Sequence, residues 1–255
     1  MTILIPMAGK GERFLKAGYI TPKPLIQIGN IPMVIKAVLD LPKAEKHVYI
    51  ALKAHFEDFK IDDSIRQYLP NAKFVSLDTV TEGQACTCLL GLEQIDPHSE
   101  ILIGACDNGM IFDRQAFDEL KQIADVIVFT FRNNVTVVEN PEQYGWVKLK
   151  NNETVELVSV KKPISKQPKN DHAIVGAFWF KHASIFKEAT ESMIAQNRKI
   201  NNEFYVDECI NDAITLGYRV AVFEIDKYIC WGTPKDYNTF NYWKTFYELS
   251  PVCYQ

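Results

Sequence analysis

Two cations follow the first apolar stretch of the chain, and each has an unusual backbone setting. Arg13 comes two residues after Gly11 in MTILIPMAGKGERF, and Lys23 stands between two prolines. Glycines at positions 9 and 11 allow backbone N–H groups to approach a ligand closely, and a row of such groups binds anions. The prolines restrict the backbone around Lys23, so less conformational entropy is lost when it binds. Because arginine offers a planar fork and lysine a compact charge, the pair predicts a triphosphate site.

The loop matches neither of two common phosphate-binding loops. A dinucleotide fingerprint needs a third glycine, where Phe14 stands, and a later acidic residue, which Ile-Gly-Asn at 28–30 does not supply. A Walker A loop needs Gly-Lys-Ser/Thr after a longer spacer, which the sequence lacks. From the glycines alone, a simple tight turn remains an alternative, and the two nearby cations favour phosphate binding.

Asp107 is the candidate metal ligand. It follows an apolar stretch at 100–104 that predicts a strand. An aspartate after a strand can instead stabilise a turn. At the carboxyl end of a strand, with a triphosphate nearby, it predicts a Mg²⁺ ligand, because Mg²⁺ usually takes one or two protein carboxylates plus phosphate oxygens.

The elements that must position these residues alternate between strands and helices in the first half. Apolar stretches predict strands at 3–6, 47–53, 72–77, 100–104 and 126–131. Periodic patterns predict helices at 33–41, 56–69, 82–95 and 113–123. This alternation predicts an α/β fold with a parallel sheet, whose ligands bind at the carboxyl ends of the strands.

The strict alternation of predicted strands and helices ends at about residue 135. Strands are predicted at 144–150 and 154–160, joined by a polar hairpin turn, and at 173–181 and 219–225. Residues 164–171 predict a loop, and helices are predicted at 183–197, 204–216 and 234–249. We interpret residues 1–255 as one domain with an NTP-binding half (1–135) and an acceptor-binding half (136–255).

Composition narrows the class of protein. The 255 residues are 47% hydrophobic and 24% charged, with a net charge of −4, which disfavours a large nucleic-acid-binding surface. No signal peptide or membrane-spanning run is predicted, so we expect a cytoplasmic protein with no membrane partner. The cysteines lack zinc or disulfide spacing and are expected to be reduced thiols; they are Cys86, Cys88, Cys106, Cys209, Cys230 and Cys253.

MAGKGERF followed by TPKPLIQIGNIPMV resembles the N-terminal signature of the sugar nucleotidyltransferases, also called nucleotide-sugar pyrophosphorylases, in order, spacing and residue type. Further similar motifs are TEGQA at 81–85, CDN at 106–108, VKKP at 160–163, VGAF at 175–178 and WGTP at 231–234. The resemblance spans nearly the whole chain and is closest to the short members associated with capsule or surface-polysaccharide synthesis. It implies a three-layer, Rossmann-like (GT-A-like) nucleotidyltransferase fold, with a mainly parallel central sheet and added antiparallel strands in the C-terminal half.

The resemblance implies transfer of a nucleoside monophosphate from an NTP to a phosphorylated small acceptor, with Mg²⁺ as cofactor and release of pyrophosphate. Arg13 and Lys23 would be catalytic and Asp107 would bind the metal. The implied nucleotide contacts are Met7, Ala8, Gly9, Gly11, Arg13, Lys23, Glu82 and Gly83. The implied acceptor contacts are Lys161, Lys162, Gly176 and Glu203, with Lys162 on the acceptor phosphate. Asp207 is a further candidate beside Glu203, although helix capping explains both almost as well. A homo-oligomer is left open.

Two departures from the family pattern concern the metal and the acceptor. Cys230 stands where many members have a second metal-binding aspartate, and a thiol is a poor Mg²⁺ ligand. We expect one protein carboxylate on the metal, with Asp226 as the alternative substitute. Lys161 replaces a sugar-contacting glutamate, which opens acceptors beyond a hexose phosphate: one with an extra negative group, phosphocholine or a phosphorylated amino acid. A solvated Lys161 is the competing interpretation.

The nucleotide is expected to be a pyrimidine, CTP ahead of UTP or dTTP. Two other functions compete with nucleotidyl transfer. A GT-A-type glycosyltransferase would need a D-x-D motif, where the chain has Cys-Asp-Asn at 106–108, and it leaves Arg13 with Lys23 unexplained. A non-catalytic nucleotide sensor would need neither Asp107 nor Lys162.

Overall fold

The structure is a computed structural model that describes residues 1–150 and 154–250. Its strands are β1 (Thr2–Pro6), β2 (Gln27–Ile28), β3 (Ile31–Pro32), β4 (Lys46–Leu52), β5 (Lys73–Leu77), β6 (Ile101–Ile103), β7 (Asn108–Ile111), β8 (Val126–Phe131), β9 (Gly145–Lys150), β10 (Thr154–Val160), β11 (His172–Phe180), β12 (Val220–Glu224) and β13 (Lys227–Cys230). Its α-helices are α1 (Glu12–Lys16), α2 (Met33–Leu39), α3 (Lys53–Phe59), α4 (Ile61–Arg66), α5 (Gln84–Gly91), α6 (Arg114–Lys121), α7 (Thr136–Glu139), α8 (Ala183–Ala195), α9 (Val206–Thr215) and α10 (Pro234–Leu249). Short 3-10 helices occur at Lys23–Leu25, Leu92–Gln94, Pro141–Gln143 and Pro168–Asn170.

A nine-stranded sheet runs through both halves of the chain. Strands β5, β4, β1 and β6 are parallel neighbours in that order. The long strand β11 pairs antiparallel with β6 on one side and with β8 on the other, and β12 runs parallel to β8. The β9–β10 hairpin joins the first residues of β11. The predicted mainly parallel sheet with added antiparallel strands is therefore confirmed.

Side chains that alternate along the central strand show why the fold has three layers. Ile3 and Ile5 in β1 pack into a core that includes residues of α2 and α4, whereas Leu4 packs into a core that includes residues of α5, α8 and α9. Because successive strand residues point to opposite faces, each face of the sheet is covered by helices.

The prediction of one continuous helix over residues 56–69 is wrong. The structure has two helices, α3 and α4, separated at Lys60, whose φ of 51° is left-handed. Such a residue ends a helix, and Ile61 and Ile65 of the next helix are then fully buried. Another helix was predicted to begin at residue 82, but α5 begins at Gln84 because Gly83 has a φ of 138°.

A small antiparallel sheet formed by β7 and β13 was not predicted. Its register places Cys230 opposite Asn108, so the chain after β6 and the chain before α10 lie side by side. The backbone N–H of Trp231 donates to the Asp107 carbonyl oxygen at 2.8 Å, which continues this pairing. Residues 151–153 of the predicted hairpin turn, and Cys253, lie outside the described residues, within which the other five cysteines are free. No helix in the described ranges is long and apolar enough to cross a membrane.

Candidate active site

The glycine loop lies at the carboxyl end of β1 and is anchored at its start. Met7 and Ala8 are buried, and the Met7 backbone N–H donates to the Ile50 carbonyl oxygen at 2.8 Å. Gly11 has a φ of 63° directly before α1, a conformation that favours glycine. A Cβ at Gly11 would lie 3.5 Å from the Lys23 Cβ, so the loop and the lysine are neighbours.

The first cavity, of about 490 Å³, opens beside this loop. Its lining from the loop includes Ala8, Gly9 and Gly11, and Glu203 also contributes. The remaining lining residues are Pro6, Lys10, Glu12, Val80, Thr81, Gly83, Gln84 and Thr87. The structure therefore brings four of the predicted nucleotide contacts to one cavity, while Glu203, predicted on the acceptor side, lies here instead.

Gly83 is fixed by a close backbone approach. A Cβ there would meet the Phe204 backbone nitrogen at 2.4 Å and its oxygen at 2.5 Å. Phe204 donates its N–H to the Glu82 carbonyl oxygen at 2.8 Å and accepts from the Ala85 N–H at 3.0 Å. The Glu82 carboxylate pairs with Lys199, and Glu82 is not among the residues that line the first cavity. Glu82 thus acts on the cavity wall through its backbone.

Lys23 and Asp107 form an ion pair. Lys23 lies at the start of a 3-10 turn between the two prolines, and its Nζ also donates to the Gly232 carbonyl oxygen at 3.0 Å. Burial would lower the pKa of Lys23, the Asp107 carboxylate is the main opposing influence, and the net effect is a raised pKa. The lysine therefore remains charged, with its side chain 19% exposed and that of Asp107 26% exposed.

The second cavity, of about 250 Å³, contains this ion pair and shares Gln84 with the first cavity. Arg13 is exposed and also lines the second cavity. Gly176 lines it where the register of β11 shifts; its φ is 89°. Asn108 holds that bulge, because its Nδ2 donates to the Val175 carbonyl oxygen at 2.8 Å.

Lys161 lines the second cavity, whereas Lys162 is exposed and is not among its lining residues. Lys161 has a φ of 59°, and its Nζ donates to the Gln143 carbonyl oxygen and lies 5.6 Å from the Tyr205 ring centroid. Burial lowers the pKa of Lys161, and the nearby Asp207 opposes this shift. Burial also raises the pKa of Asp207 to about 6, against the opposite effect of Lys161. Lys161 is half-buried and its Nζ is hydrogen-bonded, which differs from the fully solvated lysine of the competing interpretation.

Cys230 is a neutral thiol beside the ion pair. Burial, and then the carboxylates of Asp107 and Asp236, raise its pKa to about 12. Asp226, the alternative metal ligand, is exposed and precedes β13, whereas Cys230 ends that strand. Besides Asp107, the acidic residue near the thiol is Asp236, whose Oδ2 lies 3.6 Å from the Cys230 Sγ.

The residues present fit one Mg²⁺ ion held by a single protein carboxylate. Within residues 1–150 and 154–250, no group of three or more His, Cys, Asp or Glu side chains could hold a metal. Mg²⁺ needs only one or two protein carboxylates when phosphate oxygens and water complete its shell. The Asp107 carboxylate and the Gly232 carbonyl oxygen both accept from the Lys23 Nζ. Two oxygens of the kind that bind Mg²⁺ therefore converge at this wall of the second cavity.

Several lining residues were not predicted as site residues. In the first cavity they include Thr81 and Gln84, which belong to the quoted TEGQA motif. In the second cavity they include three tyrosines and an aspartate: Tyr144, Tyr205, Tyr228 and Asp236. Tyr144 and Tyr205 directly precede β9 and α9, and Asp236 lies in the first turn of α10. A position at the start of a strand or helix is thus the sequence feature that could have identified these three residues.

Comparisons with known proteins bear on the fold described above. No family model matches the chain. The bifunctional protein GlmU of Campylobacter fetus subsp. fetus is 25% identical over 232 residues, covering 89% of this chain and 49% of GlmU. This chain therefore spans about half the length of that relative.

Two solved structures cover nearly all of both chains. A nucleoside-diphosphate-sugar pyrophosphorylase from Vibrio cholerae RC9 has a TM-score of 0.76 at 22% identity and covers 93% of this chain and 98% of its own. An inositol-1-phosphate CTP transferase from T. maritima has a TM-score of 0.73 at 12% identity and covers 99% and 98%. The chain described here therefore has the fold of these nucleotidyltransferases.

Proposed function

We propose that the protein is a nucleotidyltransferase that moves a nucleoside monophosphate from an NTP to a phosphorylated small acceptor and releases pyrophosphate. The observation that carries this proposal is the position of the Lys23–Asp107 pair in the second cavity, which adjoins the glycine-loop cavity through Gln84. A nucleotide in the first cavity and an acceptor in the second would meet at this cation and carboxylate.

Arg13 and the glycine loop would hold the β- and γ-phosphates, and Lys23 would contact the α-phosphate. A phosphate monoester is largely dianionic near neutral pH, since its second pKa is about 6. It can attack the α-phosphorus without a general base. The protein's contribution is then alignment of two polyanions and stabilisation of the negative charge between them. Because Lys161 lines the second cavity, we assign the acceptor phosphate to Lys161 in place of Lys162, to which the family resemblance gives this contact.

The proposal requires the Lys23–Asp107 pair to separate when both substrates bind. Lys23 would exchange the carboxylate for phosphate oxygens, and Asp107 would then hold Mg²⁺. The metal, when bound, would supply positive charge to the phosphate oxygens. The exchange keeps Lys23 paired with anionic oxygen in both states, which avoids leaving a charge buried without a partner.

The identity of the two substrates is proposed from the sequence. A pyrimidine nucleotide, with CTP ahead of UTP or dTTP, is the first choice for the first cavity. The inositol-1-phosphate CTP transferase of similar fold supports including CTP and non-hexose acceptors. A role in capsule or surface-polysaccharide synthesis and a cytoplasmic location belong to the same proposal.

A matrix of the four NTPs and dTTP against phosphorylated acceptors, measured by pyrophosphate release, tests this function. The panel includes hexose 1-phosphates, inositol phosphate, phosphocholine, phosphoethanolamine and phosphoserine. We expect release only when an NTP and one acceptor class are both present with Mg²⁺. Hydrolysis of a nucleotide sugar without pyrophosphate would favour a glycosyltransferase, and NTP binding with no turnover across the panel would favour a sensor.

A further inference from the structure

A third cavity, of about 490 Å³, continues from the second and is not used by the contacts assigned above. The two cavities share six lining residues: Gln143, Tyr144, Tyr228, Cys230, Thr233 and Asp236. The third cavity extends from there to α7 and to the α10 residues Phe240 and Trp243. An acceptor whose phosphate lies in the second cavity could therefore extend its far end into the third.

Aromatic rings line this cavity from two sides. Tyr144 and Tyr228 contribute from the strand side, and Phe240 and Trp243 contribute from α10. The Tyr228 ring is stacked on Phe131 with centroids 4.1 Å apart, so its orientation is held by the core.

The α10 side is held in a similar way. The Phe240 ring packs edge-on against the buried Trp231 with centroids 5.7 Å apart. Tyr228 and Phe240, one on each wall, are therefore held by packing and lose little side-chain entropy on binding.

The charged residues of the lining disfavour an anion. Lys235 is paired with Glu139, so this cation is already neutralised. Asp236 is the remaining charged residue among the lining residues that the structure describes, and its carboxylate accepts from the Thr233 hydroxyl at 2.6 Å. The cavity thus combines four aromatic rings with one carboxylate. This is the chemistry that attracts a positively charged nitrogen, through cation–π contacts and Coulomb attraction.

We propose that the third cavity binds an ammonium group of the acceptor, so that the acceptor is a phosphorylated amine or quaternary amine rather than a neutral hexose phosphate. The assignment of this ammonium group to the acceptor rests on the proposed function. The cation site itself rests on the cavity alone. The acceptor would then be bound at both ends, its phosphate by Lys161 and its nitrogen between α10 and the strand side.

Equilibrium binding of choline, followed by calorimetry or ligand-observed NMR, tests the cation site without turnover. The matched ligand is 3,3-dimethylbutan-1-ol, which replaces the charged nitrogen by carbon at nearly the same shape. We expect choline to bind at least tenfold more tightly than this alcohol. Trp243→Ala should remove that preference, and Trp243→Leu, which keeps apolar volume, should remove most of it. Tyr242→Ala is the control, because Tyr242 is 65% exposed on the same helix and does not line the cavity.

Pyrophosphate release with phosphocholine and phosphoethanolamine, compared with glucose 1-phosphate and inositol phosphate, tests the acceptor class. Preference for the amines, with a raised KM in Trp243→Ala, supports the inference. Turnover with a neutral sugar phosphate and equal binding of choline and the alcohol overturns it while the proposed function stands. Selective choline binding that Trp243→Ala removes, with no turnover for any acceptor, supports the cation site and contradicts the proposed function.

Discussion

Replacing Lys23 by alanine should separate the chemistry of the site from the stability of the fold. In the structure the Lys23 Nζ pairs with Asp107 and donates to the Gly232 carbonyl oxygen. In the reaction it would stabilise charge on the α-phosphate. The variant should therefore lose both a transition-state contact and a structural ion pair, and each loss has its own measurement.

The magnitudes follow from the surroundings of the pair. Removing one preorganised donor from a developing oxyanion lowers kcat by about 10²–10³, or ~2.7–4 kcal/mol. Breaking one side of a fully buried ion pair costs roughly 3–5 kcal/mol, whereas a surface pair is worth about 0–1 kcal/mol. The side chains of Lys23 and Asp107 are 19% and 26% exposed, which places the pair between these limits. We expect a loss of ~1–3 kcal/mol in the free energy of unfolding.

The assay is steady-state pyrophosphate release combined with urea unfolding of the same preparations. Lys16→Ala is the control, because the Lys16 side chain is 79% exposed and its pair with Glu12 spans 3.6 Å on the surface. Adding Asp107→Asn to Lys23→Ala should recover part of the lost stability without recovering turnover. A folded Lys23→Ala protein with near-normal kcat would refute the assignment of this lysine to the reacting phosphate.

Three further changes probe the cavities. Gly83→Ala should destabilise the fold by ~3 kcal/mol or more and weaken NTP binding, because the new Cβ would overlap the Phe204 backbone at 2.4 Å and φ is 138°. Between about pH 4 and pH 6, the contribution of Asp207 to the free energy of unfolding should fall by ~2–3 kcal/mol as pH rises, because the folded pKa of Asp207, about 6, exceeds its unfolded value and the folded state binds the extra proton. Asp207→Asn should remove this fall, as measured by urea unfolding across that range. Lys161→Met should raise the acceptor KM by about tenfold, ~1.4 kcal/mol, and leave the NTP KM unchanged.

Each of these has a contrasting result. Gly9→Ala is the matched control for Gly83→Ala, since a Cβ at Gly9 meets nothing within 4 Å; equal unfolding midpoints for the two variants would contradict the close approach. An unchanged pH profile in Asp207→Asn would mean that this carboxyl does not retain its proton. A change in NTP KM alone for Lys161→Met would move Lys161 to the nucleotide side.

The sequence predicted the glycine loop, the α/β alternation and most element positions, because these depend on local chemistry. Gly11 adopts a left-handed φ that other residues resist, and a strand with Ile3 and Ile5 on one face and Leu4 on the other must be covered on both sides. The closing helix α10 was predicted with its observed bounds, 234–249. Its start is marked by Thr233, whose hydroxyl accepts from the Asp236 N–H at 3.2 Å, and by a proline in the first turn.

The features that were missed depend on contacts distant in sequence. The pairing of β7 with β13 joins residues more than a hundred positions apart, and neither short strand has a distinctive pattern. The ion pair of Lys23 with Asp107 likewise spans 84 positions. Lys161 and Lys162 are adjacent and chemically equal in sequence. Only the left-handed backbone of Lys161 and its contact with Gln143 distinguish the lysine that enters the cavity.

The central claim is that the α-phosphorus of an NTP moves to an acceptor phosphate. Incubation with NTP labelled at the α-phosphorus, the preferred acceptor and Mg²⁺, followed by separation of the products, tests it most directly. The account predicts that the label appears in a nucleoside diphosphate-linked acceptor, with one pyrophosphate released per label transferred, and that Lys23→Ala abolishes both. Label recovered only as free nucleotide, or product formed without an equal amount of pyrophosphate, would contradict the account.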